Sequence, residues 1–181
     1  MKYREGELEF DFTAAKSVDK LDDTKRKLPE GMQFVDFVVE DDARLLLIEV
    51  KDPSCSAKGG TPQAEAAIAK SRADFTKKIE NDSLISQELT PKARDSYTYL
   101  HLMKKDSRPM LYAFLLGADK LTLDPALLIG FKDRLLARIR HEADQPWSRN
   151  YLADCIVLTE SNWTSIFPQY PVVRVSAKST P

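Results

Sequence analysis

Cysteine and histidine are scarce in this chain, which has Cys55, Cys155, His101 and His141 and no others. Two cysteines a hundred residues apart, with no CxxC and no neighbouring histidine, exclude a disulfide framework and a zinc-ligand spacing. Two isolated histidines leave little material for a histidine metal site or a Ser-His-Asp triad. Long apolar runs are also missing: none approaches the roughly 20 residues that a spanning helix needs. The segment Met1–Glu7 lacks the apolar stretch of a secretory signal, so the expectation is a cytoplasmic protein without a membrane partner. Strong net charge is absent as well. The formal value is −1 at pH 7, so bulk charge gives no basic footprint for nucleic acid. The local clusters Lys104–Arg108 and Arg134, Arg138 and Arg140 read as solvated helix faces and ends.

What remains is ordinary globular material. With 181 residues, 43% of them hydrophobic and 30% charged, the chain suits one domain over 1–181 with a single filled core. Glu7–Phe12 alternates charged and apolar residues, as a short strand does, and Thr13–Lys27 is polar with weak helical periodicity. Leu28-Pro29-Glu30-Gly31 breaks the chain. Met32–Asp41 and Arg44–Asp52 carry the strongest strand signals and form a hairpin around Asp41-Asp42. Thr61-Pro62 opens a helix, with Thr as N-cap and Pro in the first turn, running to about Ile79. A second helix is predicted over about Leu84–Met103, a strand over Met110–Leu116 and a helix over Pro125–His141. A strand at Ala153–Thr159, a turn or short helix at Ser161–Phe167 and a strand at Val172–Val175 complete the pattern. Strands alternating with helices after a hairpin indicate an α/β sandwich with a mixed central sheet.

The hairpin carries the chemistry. Side chains alternate faces along a strand. Phe34, Asp36, Val38 and Glu40 therefore share one face, and so do Leu45, Leu47, Glu49 and Lys51 on the second strand. Matching the wholly apolar faces of the two strands fixes the pairing parity and puts Asp36, Glu49 and Lys51 on one side. A two-residue turn at Asp41-Asp42 sets Asp36 opposite Leu47 and diagonal to Glu49, roughly 7 Å away. Two carboxylates at that spacing suit a hard divalent ion such as Mg²⁺ or Mn²⁺, and the main-chain carbonyl of Val50 is a further candidate ligand. Lys51 projects beside them, where an ammonium can orient or help deprotonate water, or stabilise charge on a phosphate.

Val35-Asp36-Phe37 followed by Ile48-Glu49-Val50-Lys51 resembles the D-x(n)-E-x-K signature of the PD-(D/E)xK, or restriction endonuclease-like, nuclease superfamily. The position before the aspartate, commonly Pro in that family, is Val35. The resemblance implies an αβββαβ core with a mixed central sheet flanked by helices. It implies Mg²⁺ (or Mn²⁺) on Asp36 and Glu49, and Lys51 assisting attack of water on a phosphodiester. The expected activity is a metal-dependent nuclease acting on nucleic acid, DNA ahead of RNA, in a bacterial or phage defence or repair system. A homodimer or a protein partner is implied, because the chain carries no evident DNA-reading module. The alternative is a catalytically inactive binding or assembly subunit of the same fold. Members of the family often draw another acidic ligand from an N-terminal helix. Glu9 and Asp22 are taken from the acidic residues there, which include Glu5, Glu7, Asp11, Asp19 and Asp23.

Three further residues are nucleic-acid-binding candidates. Lys58, in Lys58-Gly59-Gly60-Thr61, precedes a helix N-terminus but lacks the full GxxxxGK[ST] pattern of a phosphate loop. Gln63 lies just inside the following helix, where capping is its simpler role. Lys92 recurs with Asp95, Ser96 and Tyr99 at helical spacing, apart from an apolar stripe of Leu89, Ala93, Tyr97 and Leu100. Trp147, Trp163 and Tyr170 read as packing residues.

Overall fold

A computed structural model describes residues 1–25, 27–53, 61–117 and 124–175. The chain is mixed α/β. Its central sheet has five strands in the order β3-β4-β5-β6-β7: Ser17–Lys20, Phe37–Glu40, Leu45–Lys51, Met110–Leu116 and Asp154–Thr159. The first three form an antiparallel meander, and β6 and β7 then run parallel to β5. A second, antiparallel sheet joins β1 (Lys2–Glu5), β2 (Leu8–Asp11) and β8 (Val172–Arg174).

Both faces of the central sheet are buried, which is why β5 and β6 read as nearly continuous apolar runs. One face is covered by helices α1 (Pro62–Glu80), α2 (Thr90–Leu102) and α3 (Pro125–Arg140). Phe75 and Ile79, Ala93 and Leu100, and Phe131, Leu135 and Ile139 pack there on Val38, Leu45, Leu47, Tyr112 and Phe114. The other face is covered by β2 and α4 (Glu160–Ile166). Phe10, Phe12, Trp163, Phe167 and Tyr170 meet Phe37, Val39, Leu46, Ile48 and Leu115. Fully burying one such aromatic or aliphatic side chain contributes about 1.5–3 kcal/mol. Trp163 also satisfies its indole N–H on the Tyr170 carbonyl at 2.6 Å.

Several elements match the sequence closely, including the Thr61 cap, whose Oγ1 accepts from Ala64 N at 3.2 Å. Two departures matter for function. Helical periodicity in Thr13–Lys27 is overridden: Ser17–Lys20 is the edge strand β3, because pairing with β4 outweighs weak local propensity. The leading helix expected of an αβββαβ core is thus replaced, among the described residues, by the strands of β1–β3. The flank opposite α1–α3 is likewise chiefly a second sheet, with the short α4 its helical part.

Candidate functional site

The hairpin turn is centred one residue later than the sequence suggests. Asp41 Oδ1 accepts from the backbone N–H groups of both Ala43 and Arg44 at 2.8 Å, and Asp41 N donates to Arg44 O at 3.0 Å. The loop is therefore Asp42-Ala43, and Val38 rather than Asp36 faces Leu47. Moving the centre by one residue moves every partner by two, so facing is preserved while the neighbour changes. Extending the register from Phe37↔Ile48 puts Asp36 directly opposite Glu49. Directly opposed residues lie about 5 Å apart, closer than the diagonal spacing.

Asp36 stands where regular pairing ends. The strand β4 begins at Phe37, and the N–H of Val50 donates to Asp36 Oδ2 at 2.6 Å in place of a ladder carbonyl. In extended backbone the N–H and C=O of one residue point the same way, so the Val50 carbonyl faces the Asp36 edge too. The segment before Asp36 is held by α2. Gln33 N donates to Asp95 Oδ2 at 2.9 Å, and Val35 N donates to Ser96 Oγ at 3.0 Å. The polar face of α2 is thus a clamp for the incoming chain, and Asp95 and Ser96 are structural acceptors.

Around the two carboxylates is a chain of opposite charges. Asp36 is 4% exposed and Glu49 fully buried. Lys92 Nζ donates to both Glu49 oxygens, at 2.8 and 3.0 Å, and lies 4.0 Å from Asp22 Oδ2. Lys51 Nζ lies 3.2 Å from Glu49 Oε1 and 2.9 Å from Glu88 Oε2, and Lys78 reaches Glu88 Oε1 at 2.8 Å. Glu88 sits on a π-helical turn, Ile85–Leu89, that leads directly into α2. Such turns recur at functional sites because the extra residue re-aims side chains.

Burial and the neighbouring Glu49 charge push the Asp36 carboxyl up to about 8, partly offset by Lys92 and the Val50 N–H. Burial raises Glu49 as well, with Lys92 and Lys51 pulling it back. For Lys51, burial alone would favour the neutral amine, but Glu49 and Glu88 outweigh it and hold the ammonium above its usual range. Lys51 is therefore a fixed positive charge near neutral pH. A cleft of about 550 Å³ opens beside it, lined by Asp52, Pro53, Lys70, Asp74 and Lys78 among others. Asp36 and Glu49 are buried and do not line it.

The structure thus brings Asp36, Glu49, Lys51, Val50, Lys92 and Asp22 together. Glu9 is elsewhere: it faces away from the core on β2 and pairs with Lys2 at 3.1 Å. Gln63 is exposed on α1 and Lys58 lies outside the described residues, as does Cys55. Glu88 escapes sequence reasoning, because its role depends on the π-helical turn and not on a recognisable spacing. As for a divalent ion, Asp36, Glu49 and the Val50 carbonyl are hard oxygen donors of the right kind. Among the described residues no group of three His, Cys, Asp or Glu side chains converges as a ready cage. The cations on Glu49 are the Lys92 and Lys51 ammonium groups, Lys92 the closer. Comparison with protein-family models, curated proteins and solved structures finds no match to this chain.

Proposed function

We propose that the chain is a divalent-metal-dependent phosphodiesterase acting on nucleic acid, DNA ahead of RNA. The observation that carries this reading is the pair of opposed, buried carboxylates Asp36 and Glu49 with the Lys51 ammonium at their mouth. Burying two carboxyl groups face to face is costly, and a divalent ion between them would offset that cost. The β3-β4-β5 meander, followed by helices and a parallel β6, supports the βββαβ part of the order that the D-x(n)-E-x-K resemblance implies, without its leading helix. On the same resemblance, the setting is defence or repair, with a second copy or a protein partner supplying target recognition.

Asp36, Glu49 and the Val50 carbonyl would hold Mg²⁺ or Mn²⁺, with Asp22 at the rim. When bound, the ion supplies Lewis-acid polarisation of the phosphodiester and acidifies water. The chain's own part is then clear. With the ion bound, Asp36 would be held as the carboxylate, because a nearby positive charge favours that form. Lys51, held as an ammonium by Glu49 and Glu88, stabilises charge on the scissile phosphate and does not take a proton. The cleft beside Lys51 admits the substrate backbone.

The test is cleavage of supercoiled, linear and single-stranded DNA and of RNA with Mg²⁺ or Mn²⁺, comparing the wild type with Lys51→Ala. The reading expects metal-dependent cutting that falls by about 10²–10³ in the variant, as for loss of a charge-stabilising donor. Equal background in both proteins would remove the catalytic reading. It would favour the binding-subunit alternative, which the Lys92 closure over Glu49 supports.

A further inference from the structure

The start of α2 and the end of β5 are complementary in charge. Glu49 and Lys51, two apart on a strand, share a face, and Glu88 and Lys92, four apart along the helical turns, share another. They meet crosswise, Lys92 on Glu49 and Glu88 on Lys51. Lys92 Nζ takes both Glu49 oxygens, lies within 4.0 Å of Asp22 Oδ2 and acts electrostatically on Asp36. One ammonium therefore holds Glu49, one of the two carboxylates that the proposed metal would need, and lies between it and Asp22.

We infer that Lys92 is the resident counter-ion of this site, competing with the divalent cation, so that metal binding requires its ammonium to leave Glu49. The inference rests on the metal reading given above. Both cannot hold Glu49 at once. The ammonium uses both oxygens at 2.8 and 3.0 Å, whereas Mg²⁺ needs oxygens at roughly 2.1 Å in a near-octahedral shell. The arrangement keeps the Glu49 carboxylate compensated without metal, which an unpaired buried carboxylate would not be. It also sets a threshold: the ion must repay the lost Lys92–Glu49 contact before it binds.

The test is Mn²⁺ binding by calorimetry, together with melting temperature, for the wild type, Lys92→Met and Lys92→Gln. Loss of the ammonium should tighten Mn²⁺ binding about tenfold or more. It should also lower the metal-free melting temperature and enlarge the rise on adding Mn²⁺. In case neither variant folds, selective acylation of lysines in the wild type, read by mass spectrometry, gives the same information. The Lys92 side chain is 15% exposed against 61% for Lys2. Saturating Mn²⁺ should raise Lys92 labelling about fivefold and leave Lys2 unchanged. Binding no tighter in either variant, or Lys92 labelling unmoved at saturating Mn²⁺, overturns the inference and leaves the metal reading standing. No Mn²⁺ binding by the wild type or any folded variant overturns both.

Discussion

Replacing Asp36 with Asn should stabilise the protein at alkaline pH. The Asp36 carboxyl rises from 3.8 to about 8 on folding, because burial and the Glu49 charge oppose its ionisation. At roughly 1.4 kcal/mol for each tenfold change, the ionised form costs about 6 kcal/mol in the folded protein, an upper bound because relaxation and water entry reduce it. The sign follows from linkage. A group whose folded pKa is raised contributes stability that is fully present below about pH 4 and is lost as pH climbs through about 8. Asparagine is neutral throughout and keeps an oxygen for the Val50 N–H. Urea denaturation of both proteins between pH 5 and 9, without metal, should show Asp36→Asn gaining on the wild type with each pH unit. The gap should widen by at least about 3 kcal/mol by pH 8.5 and then level off. A gap that does not change with pH, or a variant less stable at pH 8.5, would show that ionising Asp36 costs the folded protein nothing.

Three other expectations come from the surrounding structure. Ser96→Ala removes the acceptor of the buried Val35 N–H and should cost about 1–3 kcal/mol by chemical denaturation. Gly117→Ala places a Cβ 2.8 Å from the Asp52 carboxyl, which Arg174 pins at 2.8 Å. Overpacking there should destabilise by about 1–3 kcal/mol, read by urea denaturation. Glu88→Gln removes one of the two carboxylates that hold Lys51 charged. The midpoint of its pH-dependent acylation should fall, while an unchanged midpoint would show that Glu49 alone sets it.

The period-2 pattern made the shared facing of Asp36, Glu49 and Lys51 legible, since parity survives any even change of register. It did not make the partner legible, because Asp41-Asp42 and Asp42-Ala43 are equally good turn centres by composition. The Asp41 side chain decides between them through its bonds to Ala43 and Arg44. Glu9 and Asp22 looked alike as acidic residues near the N-terminus. Tertiary pairing separated them by making Ser17–Lys20 an edge strand whose exit carries Asp22 to Lys92. Lys92 stood out by helical spacing, but its contact with Glu49 depends on where α2 crosses the sheet, which no local pattern encodes. That crossing is fixed by Gln33 and Val35 bonding to Asp95 and Ser96.

Whether Asp36 and Glu49 form a divalent-cation site is read most directly from anomalous scattering by a crystal soaked in Mn²⁺. One peak is expected between the two side chains, with Lys92 moved off Glu49. Peaks elsewhere, or none, with Lys92 still on both Glu49 oxygens at saturating Mn²⁺, would show that the two carboxyl groups are not a metal site.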